Sequence, residues 1–299
     1  MAKFGTGKGL PCCWCLLPNK KVNTYDQMWT CIMEKINMNG TEDFKPATIS
    51  VDFEAASIKV VRSKFPGVKM SGCVFHQRQA IMRKIKDLGL AAFYYHVADL
   101  QELIHMIYAL AYVPLEKVVS YYEEVILQSL EEKTAVEEED AEEDDEANPW
   151  VEYRRELDDL VAYLDYTWIG RRAARTGTRG PPLIVHKIWN QHDSFMSKEK
   201  MDSSCSTNNC LERYNRTMKS LVGNHPNVWA FIQSLIGQEG DTRRVFINNV
   251  SGMDIDENSG RTQHSKDNRE RIQSVVLRHG DLTPTLYLQT IAKLIISKH

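Results

Sequence analysis

The chain runs to 299 residues, 42% of them hydrophobic and 26% charged, ordinary proportions for a globular protein with room for one large domain or two smaller ones. Its net charge of −3 conceals a split: residues 137–146 hold nine acids in ten positions, and without them the rest of the chain stands at +6, a mildly basic body that fits a polyanionic partner. Seven cysteines, an odd number in a long chain, argue against a secreted disulfide framework. No stretch reaches the roughly 18 apolar residues of a bilayer span, so the expected compartment is reducing, nuclear or cytoplasmic, rather than secreted or membrane-bound.

Residues 11–17 read as a strand, with Cys12, Cys13, Trp14 and Cys15 packed in a core, and Pro18-Asn19-Lys20 punctuates it. Residues 24–38 place Tyr25, Met28, Trp29, Ile32, Met33 and Ile36 at helical spacing. Residues 47–51 are a short β-branched run ending at Asp52, and 53–65 form the next helix, closed by Pro66-Gly67. A strand over 68–75 and a helix over 77–88 follow. Strand–helix–strand–helix at this spacing predicts a parallel α/β unit. From 91 to 130 the pattern is helical with a break at Pro114, and the acidic block 137–146 reads as a solvated loop. Residues 151–163 are helical. Residues 171–182 form a loop carrying Arg171, Arg172, Arg175 and Arg179 among small residues, and 184–189 a short element. Helices are predicted over 211–222, 228–236, 273–277 and 286–296, with a loose polar stretch at 252–260.

Asp52 falls where a buried strand ends, the position at which open α/β sheets place their ligand sites. It is also the natural N-cap of the helix that follows. Asn209 and Glu212 have the Asn-x-x-Glu spacing of a capping box. Each acid therefore has a structural reading beside a chemical one, in which carboxylates from separate elements hold divalent cations for phosphodiester cleavage. Cys73 and His76 supply two of the four ligands of a structural zinc site. Cys205, Cys210 and His96 are candidates for the others. The competing and favoured reading of this pair is a buried thiol and a hydrogen-bonded imidazole supporting the strand, and a third is a direct role near a scissile phosphate. The arginine loop suits phosphate contact and equally a solvated surface. Trp168, Trp189 and Trp229 are read as core side chains before base-stacking platforms.

Taken in order, several pieces resemble the Mutator-like element (MULE) transposases. They are Leu16-Leu17-Pro18-Asn19-Lys20 with Thr24-Tyr25; Asp52-Phe53-Glu54 with Ala56; Phe65-Pro66; Gly72-Cys73-Val74-Phe75-His76; Ala109-Leu110-Ala111-Tyr112-Val113-Pro114; Trp168-Ile169-Gly170; Trp189-Asn190; and Thr207-Asn208-Asn209 through Glu212. The resemblance covers about residues 10–250. It implies an α/β fold: a partial ribonuclease H-like core interrupted by a long α-helical insertion. It also implies DDE-type DNA cleavage and strand transfer on transposon terminal repeats, Mg²⁺ or Mn²⁺ held by Asp52 and Glu212, and many relatives of this kind are oligomeric. The domains expected are 1–88 for the partial core, 89–205 for the insertion, 206–252 for the core-closing helices and 253–299 for a helical extension. Family members carry a first acid ahead of the Leu-Leu-Pro-Asn-Lys turn, and the residues before Leu16 contain neither Asp nor Glu. The expectation is thus an N-terminally truncated member with weak or no strand transfer of its own. The alternative is a non-catalytic DNA-binding or interaction protein domesticated from a transposon.

Overall fold

The computed structural model describes residues 2–4, 8–38, 44–135, 148–196, 209–223, 227–251 and 263–296. The acidic block, the polar stretch 252–260 and residues Cys205 to Asn208 lie outside the described residues. The architecture is mixed α/β with helix predominating. The chain divides into two compact units, each made of two separated segments: Met1–Glu42 with Ser197–Asp267, and Asp43–Met196 with Asn268–His299.

The first unit opens with an antiparallel pair, β1 (Ala2–Phe4) and β2 (Lys8–Leu10), in register from Ala2–Leu10 to Phe4–Lys8. Residues 11–20 then run without regular structure before α1 (Val22–Met38). The predicted strand over 11–17 is therefore corrected. Pro11 and Pro18 bracket it and donate nothing to a ladder, and Cys12, Cys13 and Cys15 are exposed rather than in a core.

The second unit begins with β3 (Thr48–Val51), α2 (Ala55–Lys64), β4 (Lys69–Gly72) and α3 (Val74–Asp87). The two strands pair in parallel from Thr48–Lys69 to Val51–Gly72. Parallel strands need a crossover, and α2 supplies it, burying Ile58, Val60 and Val61. The predicted βαβ unit is present, but β4 stops at Gly72 rather than Phe75. The cause is local. A Cβ on Gly72 would sit 2.4 Å from the Phe53 ring, so the strand's last residue is one that lets Phe53 lie across it. Phe53 packs edge-on against Trp168 at 5.0 Å, and Trp168 against Trp189 at 6.4 Å; both tryptophans are core residues.

The helical part follows as α4 (Ala91–His96), α5 (Ala98–Ala109), α6 (Val118–Tyr121), α7 (Gln128–Thr134), α8 (Pro149–Glu152), α9 (Arg154–Leu164), α10 (His186–Trp189) and α11 (His192–Met196). The pattern from 91 to 130 breaks at Val97 and again at Pro114, where the residue before proline leaves the α region. A π-helical stretch, Tyr122–Leu127, joins α6 to α7, and a second, Asp165–Ile169, prolongs α9. The first unit resumes with α12 (Asn209–Val222) and α13 (Val228–Val250), the latter running well past the predicted end at 236. The next helix, α14 (Gln263–Leu277), passes into the second unit at Asn268, and α15 (Pro284–Ile296) packs on α5. Leu103, Ile104 and Ile107 of α5 and Leu288, Ile291 and Ile295 of α15 are all buried. Tyr287 donates to the Tyr112 carbonyl at 2.6 Å.

Candidate functional site

Asp52 is the first residue past β3, and Cys73 the first past β4. Because the strands are parallel and in register, both chain exits lie at one edge of the pair, where α/β proteins build their sites. Asp52 stands two residues before the N-cap position of α2. The N-cap position is Glu54, which makes no side-chain capping bond, and its N–H donates to the Asp52 carbonyl at 2.7 Å in a tight turn. The Asp52 side chain is half exposed, at 51%. From the other strand, Cys73 occupies the N-cap position of α3 and is buried, and His76 stands in that helix's first turn. His76 Nδ1 approaches Asp52 Oδ1 at 3.1 Å. Nδ1 is shielded from solvent, and the contact misses hydrogen-bond angles, so it is a close approach rather than an aligned hydrogen bond.

Mg²⁺ is usually bound through one or two carboxylates together with waters and substrate phosphates, and Asp52 fits as one such ligand. Among the described residues no group of three or more His, Cys, Asp or Glu side chains is placed to hold a metal ion. The zinc partners considered for Cys73 and His76 divide accordingly: His96 ends α4, while Cys205 and the Cys210 side chain lie outside the described residues.

Glu212 stands in the first turn of α12, in the first unit. An acid there is favoured by the helix dipole. The side chains of Asn209 to Glu212 lie outside the described residues. Two residues on, Tyr214 accepts a hydrogen bond from the Trp14 indole N–H.

The four arginines of the 171–179 loop have separate employments. Gly170, at φ +116°, turns the chain out of the π-helix, and a Cβ there would lie 2.1 Å from the Gly180 carbonyl. Arg172 and Arg179 bridge across the loop in antiparallel fashion. Arg179 is nearly enclosed, at 7% exposure. Its Nε reaches Glu123 Oε1 at 2.7 Å, and its Nη1 reaches Asp165 Oδ1 at 2.8 Å and the Gly170 carbonyl at 2.5 Å. Arg172 adds a second contact to Glu123 at 2.6 Å. Burial alone would raise the Glu123 carboxyl, but the hydrogen bonds from Arg179 and Arg172 outweigh it and hold it below its ordinary value. Tyr122, buried beside Asp165, is pushed up by desolvation first and by that carboxylate second. Arg171 lies over the Tyr166 ring at 4.3 Å, and Arg171 and Arg175 are exposed. Those two cations face solvent, while Arg179 ties together the two π-helical stretches.

Trp229, on α13, is 77% exposed, unlike Trp168 and Trp189. A cleft of about 350 Å³ in the second unit is lined by Lys117, Tyr121, Glu124 and His279, and none of the sequence-predicted site residues borders it. Sequence reading missed the Glu123–Arg179–Asp165 network, since nothing in local pattern pairs acids on two helices with a loop arginine. It also missed the Asp52–His76 contact, for which a signal existed: both residues sit just past strands of one predicted parallel pair.

No protein-family model matches the chain, no curated protein matches it, and no solved structure matches it.

Proposed function

We propose that the chain derives from the nuclease domain of a Mutator-like element transposase and that Asp52 marks the remnant of a DDE-type metal centre acting on DNA. The observation that carries this reading is the placement of Asp52. It stands at the exit edge of a parallel pair, its side chain is half open to solvent, and one of its oxygens lies 3.1 Å from His76 Nδ1. Further support comes from Glu212 in the first turn of its helix, as the motif order requires, and from two outward-facing arginines.

Asp52 and Glu212 would hold Mg²⁺ or Mn²⁺, which when bound supplies an activated water and a stabilised leaving oxygen. His76 lies beside the Asp52 carboxylate. Arg171 and Arg175 would contact phosphates, in nuclear DNA and at transposon terminal repeats by the same resemblance, with a homo-oligomer as the working form of such enzymes. Of the three acids that the resemblance implies, these 299 residues hold matches for two, so cleavage by this polypeptide alone is expected to be weak or absent. The second reading, a non-catalytic DNA-binding protein, rests on the same arginines and on exposed Trp229.

Mn²⁺ titration followed by electron paramagnetic resonance tests the first reading. Asp52→Asn and Glu212→Gln should each weaken binding about tenfold or more. Unchanged affinity in both variants would sink the metal-centre assignment. A salt-dependent shift of duplex DNA that survives both substitutions, with no cleavage by any form, selects the second reading.

A further inference from the structure

One motif of the sequence serves neither the core nor the Asp52 site: Cys12-Cys13-Trp14-Cys15, in the first unit. The segment leaves β2 along α13, where Pro11, Cys12, Trp14, Arg243 and Phe246 line a shallow cleft. Trp14 anchors it, donating its indole N–H to the Tyr214 hydroxyl with the two rings 6.5 Å apart. Cys13 Sγ and Cys15 Sγ lie 3.5 Å apart, and both residues are exposed. Cys12 is diverted, its thiol donating to the Leu10 carbonyl at 3.4 Å. A third exposed thiol, Cys31 on α1, is near enough to act electrostatically on Cys15.

We propose that Cys13 and Cys15 are a redox-active dithiol, a modification site that closes to an intrachain disulfide on two-electron oxidation by a hydroperoxide. The site does not depend on the nuclease reading. A disulfide of about 2.05 Å needs the sulfurs to close by about 1.5 Å, which side-chain rotation on an irregular, exposed segment accommodates. The steps balance. The Cys13 thiolate attacks the distal peroxide oxygen, the O–O bond breaks, and the alkoxide or hydroxide released takes a proton, leaving Cys13 as a sulfenic acid. Cys15 then attacks the Cys13 sulfur, the S–O bond breaks, and the thiol proton leaves with the hydroxyl as water. Each sulfur ends one electron poorer, and the peroxide two electrons richer. The division of roles follows from the surroundings: burial first, then the hydrogen bond and charge of Cys13, push the Cys15 thiol up to about 11. It keeps its proton and resolves, while Cys13 attacks. A monothiol such as glutathione reverses the reaction by exchange.

The reduced full chain is treated with hydrogen peroxide, denatured, alkylated with N-ethylmaleimide and mapped by mass spectrometry. The peptide spanning Gly9 to Lys20 carries three cysteines. In the wild type it should lose two hydrogens and take up a single alkyl group, on Cys12. Cys13→Ser and Cys15→Ser should each abolish the bridge, while Cys12→Ser and Cys31→Ser should retain it. Since Cys12, Cys13, Cys15 and Cys31 are all exposed, circular dichroism should be the same for all five proteins. The proposal is overturned by a bridge to Cys31 or Cys12, by a disulfide that persists in Cys13→Ser, or by oxidation of Cys13 and Cys15 to sulfinic acids with no bridge.

Discussion

Gly170 and Arg179 show how much of the second unit depends on single side chains. At φ +116° and 2.1 Å from the Gly180 carbonyl, a methyl group at position 170 meets both backbone strain and a collision. Gly170→Ala should cost on the order of 3 kcal/mol, read as a lower urea midpoint. Arg179→Ala would leave Glu123 and Asp165 without their shared cation. Glu123 would keep Arg172, so the loss falls mainly on Asp165 and should be about 3 kcal/mol, at the lower end for broken buried pairs. Arg179→Lys should recover only part of that in the same titration, since an ammonium cannot present the planar fork that serves several acceptors. Neither role was legible beforehand. Gly170 could be read as a motif residue, but its collision partner, Gly180, meets it only once the loop folds back. Arg179 looked like a solvent-facing cation among glycines, and its two acids lie on helices whose proximity no local pattern announces. The end of the strand just before Asp52, by contrast, was legible, because a β-branched run followed by an acid is a feature of neighbouring residues alone.

At the scale of elements, the parallel pair and its crossover helix were readable for a physical reason. The run Thr48–Val51 favours strand, and Pro66-Gly67 gives an unambiguous stop, with Gly67 at φ +82°. The N-terminal strand misled because cysteine and tryptophan count as apolar whether or not they are buried, while the prolines around them deny the ladder its donors. The π-helical stretches were not foreseen, since over so short a run the inserted residue, which shifts later positions by about 100°, reads as an ordinary lapse in the apolar period. The pairing of α15 with α5 also lies beyond periodicity, which shows that each has an apolar face but not that they share one. The contact can be measured. Ile291→Ala should destabilise the protein by about 3 kcal/mol and Tyr287→Phe by about 1 kcal/mol, with the larger loss at the site that leaves a cavity. Equal and negligible shifts in urea midpoint would mean that α15 is dispensable to this core.

For the molecule as a whole, acid is the condition to which the second unit responds. His105 is driven down to about 4, by burial first and by the Arg78 charge second. His186 and His279 are lowered too, again by burial first. These imidazoles fold neutral, whereas in the unfolded chain they take a proton near 6.5. The unfolded state therefore binds more protons as pH falls, and stability drops between about 6.5 and about 4. A urea-midpoint series across that window should fall less steeply for His105→Gln, which can still pair with the Tyr94 hydroxyl that His105 meets at 2.9 Å. A slope unchanged from the wild type would remove His105 from the account.

The interleaving of the two units has a consequence for biosynthesis. The second unit needs residues on both sides of the first unit's later segment, and α15 covers apolar side chains that α5 presents. A ribosome delivers α5 long before it reaches Pro284. During that interval Leu103, Ile104 and Ile107 emerge from the exit tunnel with no permanent cover, so the nascent chain should be a client of the chaperones that shield apolar stretches until translation of α15 is complete.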